Sequence, residues 1–407
     1  MKQLIFVITF CPLLFLAQPR AGVWRGVLKI NAEEKMEIPF NFEVSSFNTI
    51  KQIVVHNAQE QILVDEITFT KDSLNFKMPV FDTEFKTQMI GDSILSGLWI
   101  NHNRTENNRM VFEAHFGNYD RFSFSTMDTI NPFYNGKWEV TFSSESKDSC
   151  KAIALFEQSK QSNSISGTFL TETGDYRFLE GTVHNNQLYL SSFDGSHAYL
   201  FIGNHDDTQI KDGFFYSGNH WKEPWKAKRN DQFALANPEN LTHAVSLNEE
   251  VDFSFSNTKK NIISLKDKRY KNKPMVIQIM GTWCPNCMDE TEYLTSIYDS
   301  YNKRGLEFIS INYERTTDFE KAKYNVQRLK KKFNVKYEIL ISGVSGKEEA
   351  SKSLPFLNKI TAFPTTIILD KSHHVKFIYT GFSGPATGLE YEVFKKKFES
   401  VLTQLTK

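Results

Sequence analysis

"IMGTWCPNCMDE", residues 279–290, closes an apolar run and sets two cysteines two residues apart behind a tryptophan. The chain has four cysteines in 407 residues, so half of them lie in this stretch. The preceding run, PMVIQIM (274–280), is near-continuously apolar, as expected for a strand covered on both faces. After Cys287, Leu294, Ile297 and Tyr298 return at helical spacing. The pair therefore sits where a strand feeds a helix. A helix N-terminus presents unpaired N–H groups and the positive end of the dipole. A sulfur placed there is stabilised as thiolate, and Cys284 takes that place. Cys287 lies nearly one turn on, close enough to attack a mixed disulfide on Cys284. Pro285 suits the first turn, where a missing N–H costs little. A zinc site needs two more ligands, and the nearest histidines, His373 and His374, are adjacent in an expected turn. A purely structural clip would close a loop too small to stabilise much. The spacing reads as a redox pair.

Downstream, strands and helices alternate. LEFISI (306–311) and EILI (338–341) read as strands, and DFEKAKYNVQRLKKKF (318–333) as a charged amphipathic helix. KEEASKSLPFLNKI (347–360) continues helical. TTIIL (365–369) and VKFIYT (375–380) flank a DKSHH turn. YEVFKKKFESVLTQL (391–405) puts Val393, Phe394, Phe398, Val401, Leu402 and Leu405 on one helical stripe. The order implies a mixed sheet with helices on both faces.

Strand, TWCPNC, helix and, later, AFPTTIILD together resemble the thioredoxin fold, in particular the exported TlpA/ResA-like thiol–disulfide oxidoreductases. The likeness covers roughly residues 245–407. It implies that Cys284 attacks a substrate disulfide and Cys287 resolves it. It also implies that Pro364 is cis against the active site, with Phe363 before it and Thr365 after it shaping a substrate groove. The backbone of Phe363 would then be open to an extended substrate segment. Trp283, Pro285 and Asn286 complete the expected substrate-binding set. Gln278 stands where thioredoxins carry a buried Asp, and it cannot relay protons. TlpA/ResA-like proteins often carry a Glu three residues after the second cysteine, here Glu290. A partly buried Glu290 would have a raised pKa and exchange protons with the thiols. The competing reading makes it a helix-start acid that complements the dipole. The loop GFSGPATGLEY (381–391) has no chemistry assigned to it. A single-cysteine peroxidase would want a threonine three residues before its cysteine, whereas Thr282 is two before Cys284.

The first half has a different period. GTVHNNQLYLSSFDGSHAYLFIGN (181–204) alternates every second residue between turn signals. It is also duplicated. Gly22 and Trp24 recur 114 positions later as Gly136 and Trp138, as do Phe42 and Phe156, Glu66 and Glu180, Thr68 and Thr182, and Leu74 and Leu188. After two extra residues, Gly97 aligns with Gly213. Two copies of one antiparallel β unit follow, as barrels or sandwiches. They are either a platform for a partner or small ligand, or spacers whose tryptophans plug each barrel. If they were a scaffold that carried the function, the cysteine pair would be incidental. Cys150 stands alone there and reads as a small buried hydrophobe.

Forty-eight basic and 48 acidic residues leave no net charge, which argues against nucleic acid as a partner. MKQLIFVITFCPLLFLAQPRAG (1–22) begins with Lys2 and runs apolar from Leu4 to Ala17. That is short for a span and reads as a signal peptide cleaved between Ala17 and Gly22. KEPWKAKRNDQFALANPEN (222–240) breaks the alternation with Pro, Asn and mixed charge and reads as the linker. The expected organisation is a signal peptide (1–21), β-rich repeats (22–130 and 131–230), a linker (231–244) and an α/β thioredoxin-like domain (245–407). The expected function is an exported, periplasmic disulfide reductase with no cofactor or metal. It would act on disulfide-containing proteins and draw electrons from a membrane-bound or soluble thiol donor.

Overall fold

The computed structural model describes residues 18–407, apart from 32–35, 48, 71, 125–128, 131 and 207. The expected leader lies mostly outside the described residues, but its last part is folded. Arg20 Nε donates to Asp92 Oδ2 at 2.9 Å, and the Arg20 carbonyl accepts from the Trp24 indole at 2.9 Å. The first unit therefore begins upstream of Gly22.

Period-two alternation puts every second side chain inside, and in both β units the strands curl until the first meets the last. Gly22–Asn31 pairs with Met36–Phe47 on one side and Arg109–Phe116 on the other. Gly136–Phe142 lies likewise between Cys150–Gln158 and Trp221–Arg229. The remaining neighbours are antiparallel, so each unit is an up-and-down, barrel-like sheet. In the first, a bend at Asp65 carries the ring across, with Glu60–Val64 paired to the strand before and Glu66–Phe69 to the strand after.

Most of the repeated residues occupy equivalent places, but Phe42 lies opposite Trp24 whereas Phe156 lies opposite Gly136, so that pair is out of register by two residues. Trp24 and Trp138 are both fully buried. Each indole donates to the carbonyl four residues before it, Arg20 and Tyr134, at 2.9 and 2.8 Å. Leu74 and Leu188 are core residues. Gly97 and Gly213 both lie against a facing strand, where a Cβ would come within 2.0 Å of the Lys86 carbonyl and 2.6 Å of the Trp225 carbonyl. The matching glutamates have diverged in partner. Glu180 accepts from Arg121 of the first unit, whereas Glu66 accepts from Arg328 of the C-terminal domain.

Two expectations for this half need correcting. KEPWKAKR is not linker: Trp221–Arg229 is the closing strand of the second unit, with Trp225 in its core. The Pro and mixed charges mask a strand whose outer face is solvated. Cys150 is exposed, not buried, because it opens its strand at the rim opposite Phe142.

The C-terminal domain contains β1 (Ser254–Asn257), β2 (Ile262–Ser264), β3 (Met275–Met280), α1 (Pro285–Asn302) and β4 (Glu307–Asn312). Then come α2 (Phe319–Phe333), β5 (Glu338–Ile341), α3 (Gly346–Ser353), β6 (Thr365–Leu369), β7 (Val375–Thr380) and α4 (Leu389–Leu405). The strand order is β2-β1-β5-β4-β3-β6-β7, parallel across β5-β4-β3 and antiparallel elsewhere. All six residues of β3 are buried, as its sequence requires. The helix expected over 347–360 stops at Ser353, because Pro355 disfavours helical backbone at Leu354. On α4 only Phe394, Phe398 and Leu402 are buried, while Val393 is 54% exposed, so the buried stripe is narrower than expected.

The parts interlock. Phe193, Ala198, Leu200 and Tyr216 of the second unit belong to the core of the first. Val80 and Phe81, on a loop of the first unit, enter the core of the C-terminal domain. Burial of two such side chains contributes about 1.5–3 kcal/mol each. Arg328 of α2 fastens that loop, donating to the carbonyls of Met78 (2.9 Å) and Phe81 (3.1 Å) and to Glu66 (3.0 Å).

Candidate active site

Cys284 has extended backbone (φ −103°, ψ 112°) and is the N-cap of α1, with Pro285 in the first turn. Its sulfur accepts a hydrogen bond from the Cys287 amide at 3.3 Å, so an N–H of the first turn points at it. Cys284 Sγ lies 3.4 Å from the Phe363 carbonyl. Both cysteines are free thiols. Cys287 is fully enclosed, and burial pushes its thiol well above the usual range, with the neighbouring Cys284 and Glu290 adding to the effect.

Glu290 is fully buried, which removes it from the role of a solvated first-turn acid. Burial pushes its carboxyl up to about 7, against hydrogen bonds from Thr366 and Gln278. Thr366 Oγ1 donates to Oε1 at 2.7 Å and Gln278 Nε2 to Oε2 at 2.9 Å. Gln278 thus holds the carboxylate in place, and its Nε2 also lies 3.4 Å from the Cys287 carbonyl. One helical turn after Cys287, the site has a carboxyl that can gain or lose a proton near neutrality.

Pro285 and Asn286 lie between the two cysteines, and Trp283 and Phe363 pack together beside Cys284. The Phe363–Pro364 peptide is cis, and the Pro364 carbonyl accepts from the Gly381 amide at 2.8 Å. Phe363 is 7% exposed, its ring edge-on to Trp283 (5.6 Å) and tilted against Tyr313 (5.9 Å). Trp283 donates from its indole to the Tyr313 carbonyl at 2.9 Å. Thr365 is buried in β6, its hydroxyl turned to the Ala362 carbonyl. Pro285 is buried, and half-buried Asn286 faces a cleft beside the cysteines.

Sequence reasoning missed a second buried carboxyl and the cover over the site. Glu314 accepts from Thr282 Oγ1 and from Asn312 Nδ2 (3.0 Å) just below the TWCPNC turn, and burial raises its pKa. The cover is the hairpin turn around Thr173 of the second β unit. Gly381 (φ +76°) lets the Thr173 backbone approach so closely that a Cβ would sit 2.8 Å from the Thr173 carbonyl carbon. Asp175 accepts from the Gly384 amide. The loop at 381–388, without assigned chemistry in the sequence, is therefore the seat of this hairpin. Ser196 also donates to the Trp283 carbonyl at 3.2 Å.

Arg177 pins the same corner. It bridges Glu60 of the first unit (2.6 Å) and Asp289 of α1 (2.7 Å), all largely buried. Burial opposes its charge, but Asp289 and Glu60 outweigh that and hold the guanidinium more firmly protonated. Burial raises Asp289 well above its ordinary value and pushes Asp175 up to about 6, against hydrogen bonds from the Gly384 and Arg177 amides.

Comparison with known proteins follows the same division of the chain. The Redoxin family profile matches residues 248–392. The thiol-disulfide oxidoreductase ResA of Geobacillus kaustophilus is 28% identical over 130 residues, 32% of this chain and 66% of that protein. ResA of Geobacillus thermodenitrificans is 29% identical over 114 residues, 28% of this chain and 57% of that protein. The chain thus spans less than two thirds of the length of these relatives. Among solved structures, a DsbF homologue from Corynebacterium diphtheriae aligns over 41% of this chain and 98% of that one, at 20% identity and TM-score 0.31. Residues 248–392 form a Redoxin domain of thioredoxin-like fold, related to the ResA thiol–disulfide oxidoreductases.

Proposed function

We propose that the chain is an exported thiol–disulfide oxidoreductase that reduces disulfides in protein substrates. The observation that carries the reading is the Cys287 amide aimed at the Cys284 sulfur above a buried carboxyl. The Cys284 thiolate attacks one substrate sulfur, the substrate S–S bond breaks, and the released thiolate takes up a proton. Cys287 gives its proton to Glu290 and attacks Cys284 of the mixed disulfide. The Cys284–Cys287 bond forms and the second substrate thiolate leaves, protonated in turn. Two electrons and two protons pass from dithiol to substrate, and a thiol donor resets the pair. Trp283, Pro285, Asn286, Phe363, Pro364 and Thr365 shape the surface where the substrate meets the sulfur, and the two β units orient the partner. The N-terminal signal peptide directs export to the periplasm and is cleaved between Ala17 and Gly22; a cut ahead of Arg20 keeps its bonds to Trp24 and Asp92.

The test is capture with full-length Cys287→Ser. Without a resolving sulfur, a substrate should remain covalently held on Cys284, released by dithiothreitol and absent from the double variant with Cys284→Ser. No reductant-sensitive adduct in the compartment where the protein resides would remove the mechanism. Equilibration of the pair in glutathione buffers checks direction: a potential above that of the surrounding thiol pool would make it an oxidase.

A further inference from the structure

The cleft beside the cysteines has a volume of about 690 Å³ and belongs to no single part of the chain. The first β unit contributes Arg104, the second His197, Tyr199 and His220, and the Redoxin domain Asn286 and Arg315. Two guanidiniums come together in it, and the charge of Arg315 acts on Arg104. Among the described residues neither has a carboxylate ion pair. Arg104 Nη1 instead donates to His220 Nδ1 at 2.6 Å, and the Arg315 guanidinium lies over the Trp283 ring at 4.4 Å. Burial, with Arg104, His197 and Arg315, pushes His220 down to about 4, so it is a neutral acceptor.

Three of the nearby acids bond elsewhere and a fourth is solvated. Glu314 turns inward to Thr282 and Asn312, and Asp175 holds the Gly384 amide. Glu223 accepts from Ser143 at 2.8 Å, and Glu106 stands exposed at the rim. His197 is matched by Asp194 at 3.2 Å. Two like charges without an ion-paired carboxylate repel one another, Glu314 acting on Arg315 only through its charge, and an anion between them relieves the repulsion. Guanidinium forks grip carboxylates bidentately. The sulfur is close: Asn286 in the cleft wall lies between the two cysteines, and Trp283, under the Arg315 guanidinium, is the residue before Cys284.

We propose that this cleft is an anion-binding subsite that holds a carboxylate of the substrate while its disulfide meets Cys284. The ligand class is a disulfide flanked by carboxylates, in an acidic peptide segment or a small carboxylated disulfide. The proposal rests on the thiol–disulfide reading above.

The test uses the reduced full-length protein and three oxidants: glutathione disulfide, a disulfide-linked peptide pair with flanking glutamates, and cystamine as the cationic counterpart. Each rate constant is divided by that of dithiothreitol with the same oxidant, which cancels intrinsic reactivity. Wild type should prefer both acidic disulfides by about tenfold or more over cystamine, as expected for a complementary charge pair. The preference should largely vanish in the double variant Arg104→Gln/Arg315→Gln and persist in Arg315→Lys. Because the readout is a ratio within one protein, a general loss of folded material does not imitate it. A larger loss for the peptide supports the subsite as a reader of acidic peptides, and a larger loss for glutathione disulfide supports small disulfides. A wild type without preference, or a double variant that keeps it, overturns the subsite while leaving the exchange reaction standing. Failure of every disulfide to oxidise the pair overturns the exchange reading and the subsite with it.

Discussion

Replacement of Glu290 by Gln should change how stability depends on pH. Gln keeps the size and a hydrogen-bonding head but cannot ionise. In the wild type, burial raises the Glu290 carboxyl from 4.5 to about 7. A raised carboxyl binds its proton more tightly folded than unfolded, so the chain loses stability as pH rises from 4.5 through about 7. At about 1.4 kcal/mol per pKa unit, the full penalty is on the order of 3 kcal/mol. Integrated between pH 5 and pH 8, roughly 2.5 kcal/mol of it is expressed. Urea unfolding of both reduced proteins at pH 5 and pH 8 reads this out. Only the difference between the proteins at each pH is compared, so the titration of other groups cancels. Wild type should fall behind Glu290→Gln by that amount between the two pH values. A difference that stays constant, or grows toward acid, would refute the argument that Glu290 is held in a low-dielectric setting.

Two further outcomes follow from the cover over the site. Arg177→Ala leaves Glu60 and Asp289 buried without their shared cation, and loss of one partner of a buried pair costs about 3–5 kcal/mol. Hydrogen exchange should rise together in residues 171–177 and in the first turn of α1, and protection that stays unchanged in both would contradict the bridge. Gly381→Ala places a Cβ against the Thr173 backbone at a positive φ, so the hairpin must lift. Alkylation of Cys284, now 6% exposed, should accelerate several-fold by mass spectrometry. An unaltered rate would mean that the hairpin does not screen the sulfur.

Much of the architecture could be read before any coordinates. The constant 114-residue offset marked the duplication because the repeated positions include core tryptophans and close-packed glycines, which a barrel needs in the same places twice. EILI, TTIIL and VKFIYT are strands to the residue, since burial leaves a one-dimensional trace in composition. The turn holding Cys284 and the place of Pro364 were equally visible, carried by the likeness of TWCPNC and AFPTTIILD to a known fold. What escaped was contact at a distance. Arg177 carries no signal of its own in the sequence, and only folding brings it beside Asp289, 112 positions on. Cys150 was misjudged because exposure at a strand's first residue depends on the barrel rim, which no local pattern encodes. Val393 fits a helical stripe, yet α4 rests on its support through a narrower line of residues.

The planted loop at Val80 and Phe81 bears on how the chain comes into being. Synthesis delivers the first unit well before the Redoxin domain that receives these side chains. Until the strands and helices of the C-terminal domain emerge, Val80 and Phe81 have no apolar socket and stay open to water. Once the C-terminal domain has formed, burial of this plug adds about 1.5–3 kcal/mol per side chain to the finished molecule.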